Sequence, residues 1–123
     1  MEEWKPVRGF EEYYIVSNMG IIRSLDRFVR GKDASARKIK GQELTPRVRA
    51  DGSFAVNLWR DNVYHQIPVA RIVLEAFDRP RPLGHDARPT NRNPADNRLS
   101  NLRWRLDGRL RRAESIKRRT GQL

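Results

Sequence analysis

Chemistry at neutral pH needs groups that exchange protons, hold cations or engage phosphate, and this chain supplies them unevenly. Its two histidines, His65 and His85, are the side chains whose ordinary pKa lies nearest neutrality, and of the two His85 is weighed as a general base, a loop-surface histidine being the plainer reading. There is no cysteine, which excludes disulfides and thiolate-held zinc. Lys and Arg number 26 against 15 Asp and Glu, a formal charge of +11. That excess is concentrated: residues 25–50 hold eight basic against three acidic side chains, and residues 79–123 hold thirteen against four. Two basic blocks on a near-neutral body are the footprint of a polyanion partner, and arginine in the second suits bidentate phosphate contact. A solvated charged face is the plainer reading. Candidate contacts in the first block are Arg37, Lys38 and Lys40. In the second they are Arg88, Arg92, Arg98, Arg103 and Arg105, then Arg109, Arg111, Arg112, Arg118 and Arg119. No catalytic residue, cofactor or metal ligand is assigned.

The elements that must position these groups follow from pattern. Trp4, Pro6 and Phe10 are expected to cap the core, with Gly9 making the bend. Residues 13–25 (YYIVSNMGIIRSL) read as two β-strands joined at Ser17–Gly20, where Asn-Met-Gly can supply a positive φ. Tyr13 and Tyr14 could stack on bases, although strand tyrosines more often pack. Residues 28–41 (FVRGKDASARKIKG) lack periodicity and read as a flexible basic loop. Residues 43–77 are the most regular part. Strands PRVR, SFAVNLW and VYHQIPV turn at Asp51-Gly52 and Asp61-Asn62. A helix over residues 69–77 then presents Ile72, Val73, Ala76 and Phe77 on one face. Three antiparallel strands with a helix are similar in outline to the plant AP2 DNA-binding domain, an analogy of fold alone. On that analogy Arg47, Arg49 and Arg60 face DNA. Residues 79–84 (RPRPLG) form a stiff linker, with His85 in the loop after it and His65 in a strand. Residues 88–104 (RPTNRNPADNRLSNLRW) make a polar hairpin, turning at Asn93-Pro94 and Asp96-Asn97 before the strand LSNLRW. A basic helix over residues 107–119 closes the unit, N-capped by Asp107, with Leu106, Leu110 and Ala113 on its buried stripe. The expected fold class is α+β: an antiparallel β-sheet with a short helix, followed by a ββα unit.

LEAF (residues 74–77), NRNP (91–94) and DNRLSNLRW (96–104) together resemble the HNH nucleases of the phage and intron homing type. Residues 2–27 (EEWKPVRGFEEYYIVSNMGIIRSLDR) resemble the NUMOD4 module that precedes HNH domains. The resemblance implies a His-Me finger unit in which a histidine activates water and a divalent cation stabilises the leaving oxygen. Aligned on SNLRW, the base position is Pro89, the neighbouring metal-ligand position Arg88, and the last ligand position Leu110. Ala70 replaces the histidine that precedes LEAF, and Asn101 keeps a role in tying the hairpin together. Proline exchanges no proton and leucine has no lone pair, so the implied unit has kept its scaffold and lost its reaction.

The expected organisation is residues 1–42 as a NUMOD4-like module, 43–84 as sheet plus helix, and 85–123 as a degenerate HNH unit. The acidic start MEEWKP has no apolar signal core and no stretch suits a membrane span, so a cytoplasmic location is expected, within a bacterial host if the source is a phage. The leading expectation is a non-catalytic DNA-binding protein of phage or mobile-element origin, contacting mainly duplex backbone with weak sequence preference. The alternatives are a binder of a host nucleic-acid-processing protein and a residual nicking endonuclease using His85 as a displaced base.

Overall fold

The computed structural model describes residues 1–30 and 35–108. Strands β1 (Trp4–Pro6), β2 (Tyr14–Ser17) and β3 (Ile22–Ser24) form one antiparallel sheet in that order. The β2–β3 turn needs Gly20: its φ is +89°, and a Cβ there would lie 2.8 Å from Asn97 Cβ. Trp4 and Pro6 do not cap the core. They lie on the exposed edge strand, where the missing proline N–H breaks no pairing. Phe10 does enter the core, with Val7.

Strands β4 (Arg27–Arg30) and β5 (Ala36–Ile39) pair as a hairpin, with Arg27 opposite Ile39 and Arg30 opposite Ala36. This corrects the flexible loop expected there. Neither strand buries a face, so no hydrophobic alternation advertises it. Its base is held by Asp26, whose Oδ1 accepts the Gly41 N–H at 2.6 Å.

The second three-stranded sheet is β6 (Arg47–Val48), β7 (Phe54–Arg60) and β8 (Val63–Pro68). Its β7–β8 turn has Asp61 and Asn62 at φ 53° and 62°, the left-handed pair a two-residue hairpin demands. Helix α1 (Val69–Phe77) follows at once and buries Val69, Ile72, Val73 and Leu74. These meet Val7, Phe10, Tyr14, Val16, Ile22, Val56, Leu58 and Leu102 in one apolar cluster. Tyr14 belongs to that cluster, its hydroxyl oxygen accepting the Trp59 N–H at 3.0 Å, whereas Tyr13 is exposed.

Strands β9 (His85–Pro89) and β10 (Leu102–Leu106) make a ribbon whose Ala87, Leu102 and Trp104 pack towards the core. The strand expected over LSNLRW therefore starts later. Leu99–Asn101 is a 3-10 turn, because the Leu99 N–H bonds Asn18 O at 2.8 Å and the Asn101 N–H bonds Arg98 O. His85 is the first residue of β9 and not a loop residue. Among the described residues the architecture is α+β, mostly strand with one α-helix. The expected basic helix, with Arg109, Leu110, Arg111, Arg112, Arg118 and Arg119, lies outside the described residues. Among the described residues no helix is long and apolar enough to cross a membrane.

Candidate nucleic-acid interface

The hairpin between β9 and β10 is built around one buried carboxamide. Asn101 Oδ1 accepts from the Thr90 hydroxyl at 2.8 Å and the Asn91 N–H at 3.2 Å. Its Nδ2 donates to Asn91 Oδ1 and to Asp96 O, both at 3.0 Å. Two donors and two acceptor bonds use the full capacity of an asparagine side chain. Asn93 and Pro94 turn the loop, Asn93 Oδ1 accepting the Ala95 N–H at 3.1 Å. Leu99–Asn18 bonding and the Gly20–Asn97 contact then clamp this loop to the first sheet.

Beside the loop is a cleft of about 460 Å³ between β9, the start of α1 and the β6–β7 turn. It brings together Ala70, Arg88 and Pro89, the three described positions where the HNH resemblance implies catalytic machinery. Arg49, Arg71 and Arg92 also line it. Its acids have partners: Asp86 pairs with Arg71 at 3.4 Å and Asp51 accepts from the Ser53 hydroxyl at 2.6 Å within the lining, and Asp96 pairs with Arg98 at 2.8 Å. A divalent cation needs clustered oxygen or nitrogen donors. Among the described residues no three His, Asp or Glu side chains are so placed. Ala70, Arg88 and Pro89 offer a methyl group, a cation and a tertiary amide, so the donor set does not fit the metal implied by the fold. His85 lies apart from the Pro89 position. It sits four residues before Pro89 along β9, roughly 13 Å at ~3.3 Å per residue. Its Nδ1 is 3.0 Å from Leu83 O, and it lines a different depression, with Leu74 and Trp104. The second histidine, His65, stacks edge-on against the Phe10 ring.

The outer face of the β6–β7–β8 sheet exposes Arg47, Asn57, Tyr64 and Gln66, while Ala55 on the same face is buried. Arg47 lies opposite Ala55, and the Arg49 N–H bonds Ser53 O, so both arginines share the parity of Asn57 and Trp59. Asn57 pairs with Gln66 and Trp59 with Tyr64 across the strands. The two rings are 4.4 Å apart, and the Tyr64 side is 67% exposed. Sequence reasoning missed this aromatic and amide set. The signal was present: these residues alternate with the apolar Val56 and Leu58.

The remaining sequence-derived candidates divide by whether they have partners. Arg60 does not face outward with Arg47 and Arg49. It has the parity of Val56 and Leu58, donates to Gly9 O at 2.6 Å and lies 4.6 Å over the Phe10 ring. Arg98 is held by both oxygens of Asp96, at 2.9 and 2.8 Å. Lys38 is 3.5 Å from Asp26, while Arg37 and Lys40 are exposed on the same hairpin. Arg103 and Arg105 are exposed on β10, and Arg103 lies directly opposite Arg88. Like charges in such a position repel unless an anion lies between them.

Arg98 holds the Asp96 carboxyl well below the usual carboxylate range, chiefly through their side-chain hydrogen bonds. A depressed folded-state pKa adds stability above the unfolded value, near 4, that is lost as pH falls through the folded one. Arg98→Ala is therefore expected to bring Asp96 back towards an ordinary carboxylate. An NMR titration of its side-chain carbon checks this; an unchanged midpoint would show the pairing is absent in solution.

Residues 2–59 match the NUMOD4 motif. The matched stretch runs past residue 42, through β6 and into β7. No curated relative matches the chain. A solved structure of the HNH homing endonuclease I-HmuI, described for its DNA binding and cleavage, superposes with a TM-score of 0.67 at 24% identity. The match covers 98% of this chain and 60% of that one. The chain thus carries a NUMOD4 segment and has the fold of an HNH homing endonuclease.

Proposed function

We propose that the chain binds duplex DNA and does not cleave it. The observation that carries this reading is the set of exposed side chains on the outer face of the β6–β7–β8 sheet. Arg47 and Arg49 stand there beside the Asn57–Gln66 amides and the Trp59–Tyr64 rings. A two- or three-stranded surface of this kind fits the major groove, arginines meeting phosphates while amides reach base edges. Arg88, Arg103 and Arg105 on the ribbon extend the cationic surface, and Arg37 and Lys40 on the β4–β5 hairpin are further backbone contacts. The fold shared with a DNA-binding nuclease supports the same partner. Loss of cleavage rests on residue chemistry: Pro89 accepts no proton from water and Arg88 repels a cation. A phage or mobile-element source accords with the fold match.

The test pairs two assays on the full chain. Fluorescence anisotropy with labelled duplex at low salt is expected to give saturable binding. Supercoiled plasmid incubated with magnesium, manganese or zinc is expected to stay intact. Metal-dependent nicking that disappears with His85→Ala would overturn the non-catalytic part. Absence of any DNA complex would overturn the rest.

A further inference from the structure

We propose that the cleft beside the hairpin is an arginine-built phosphate site, taking one backbone phosphate of nucleic acid without a metal. The proposal rests on the DNA-binding reading and adds where and how one phosphate is held. Arg71, Arg88 and Arg92 line this cleft from the helix, the ribbon and the loop. Arg71 contributes charge to the cleft wall, its Nη2 being paired with Asp86 and its Nε buried out of a ligand's reach. Arg88 and Arg92 have no acidic partner among the described residues, and Arg88 stands against Arg103 across the strands. Asp86 is paired with Arg71 and also faces Arg81, and Asp96 is paired with Arg98 outside the lining, so Arg88 and Arg92 stand in the cleft as cations without an acidic partner among the described residues.

The backbone supplies an independent observation. Arg92 sits at φ 66°, a left-handed conformation that favours glycine or asparagine. A long β-unbranched cation held in such a conformation on the wall of a cleft is strain located at a site. Arginine's planar fork meets two phosphate oxygens at once, which a metal ion does through coordination. The cleft has therefore exchanged one way of holding a phosphodiester for another, with no group left to activate water.

The experiment measures duplex affinity against salt in EDTA for the full chain and for Arg88→Ala, Arg92→Gly and the double variant. Arg92→Gly removes the left-handed strain, so its Tm is expected to equal or exceed the wild-type value, which separates folding from binding. Each single variant is expected to flatten the log–log slope by up to about 0.9, the value for one phosphate. The double variant is expected to flatten it by about 0.9 in all, where two independent surface contacts would give about 1.8. A second arm compares the rise in Tm with inorganic phosphate over chloride at matched ionic strength, expected in wild type and lost in the double variant. DNA binding with unchanged slopes and no phosphate-specific shift would overturn the cleft and leave the DNA reading standing. No DNA complex, with the phosphate shift intact, would overturn the DNA reading and keep the cleft as a site for another phosphate. A double-variant change near 1.8 would also overturn the shared site.

Discussion

Asn101→Ala is expected to lower the unfolding free energy by about 2–4 kcal/mol, the largest effect of any single change in the hairpin. Four side-chain bonds are lost together, each worth about 1 kcal/mol net. The site is 5% exposed, so water reaches the stranded Thr90, Asn91 and Asp96 groups poorly. For a chain of this length that corresponds to a fall in Tm of roughly 10 °C. Asn101→Asp sharpens the test. It keeps size and acceptors but sets a carboxylate against Asn91 Oδ1 and Asp96 O, where the native Nδ2 donates. It should be at least as damaging as alanine. Chemical denaturation that puts both variants within about 0.5 kcal/mol of wild type, the range of an ordinary surface change, would show that the hairpin is held by something else.

DNA affinity is expected to fall steeply with salt. Arg47, Arg49, Arg88, Arg103 and Arg105 are exposed cations on the sheet face and ribbon. Five neutralised phosphates give a slope of about −4.5 in log K against log salt. Between 50 and 200 mM salt that is a loss of several hundredfold, of order the range expected for such interfaces. Replacing Arg47, Arg49, Arg103 and Arg105 by alanine should flatten the slope by about 3.6 and weaken all duplex sequences alike. Arg60→Ala is the internal control. Its guanidinium is turned to Gly9 and Phe10, so it should lower Tm and leave the slope unchanged. If the four-arginine variant keeps the wild-type slope, the cationic surface lies elsewhere and the sheet is not the interface.

Much of this fold was legible where a face is buried. Helix α1 was found at 69–77 because Ile72, Val73, Ala76 and Phe77 recur at helical spacing, although the residues it buries are Val69, Ile72, Val73 and Leu74, and β7–β8 because Asp61-Asn62 accepts the left-handed turn. The β4–β5 hairpin was missed for the opposite reason: it packs nothing, so its sequence carries no period. Arg60 was misplaced although its parity with Val56 and Leu58 put it on the core side. A guanidinium bonded to a carbonyl and stacked on a ring can occupy such a position, which composition alone does not suggest. In the site, Pro89 and Arg88 stood out because they replace what the chemistry requires. Arg71 did not, since nothing in a helical arginine announces a place on a cleft wall. The Leu110 packing expectation falls outside the described residues.

The single apolar cluster also governs what happens during synthesis. Val7, Tyr14 and Val16 sit at one end of the chain, yet their neighbours include Val69, Val73 and Leu102. When the first sheet has left the ribosome, its partners are still unmade. At about 5–20 residues per second the gap between residue 16 and residue 102 lasts several seconds. Through that interval the inner face of β2 waits first for β7, then for the helix and last for the ribbon that complete its cover. A nascent chain of this design depends on holding its early strands apart until the last ribbon emerges, and slow codons placed late would prolong the exposure.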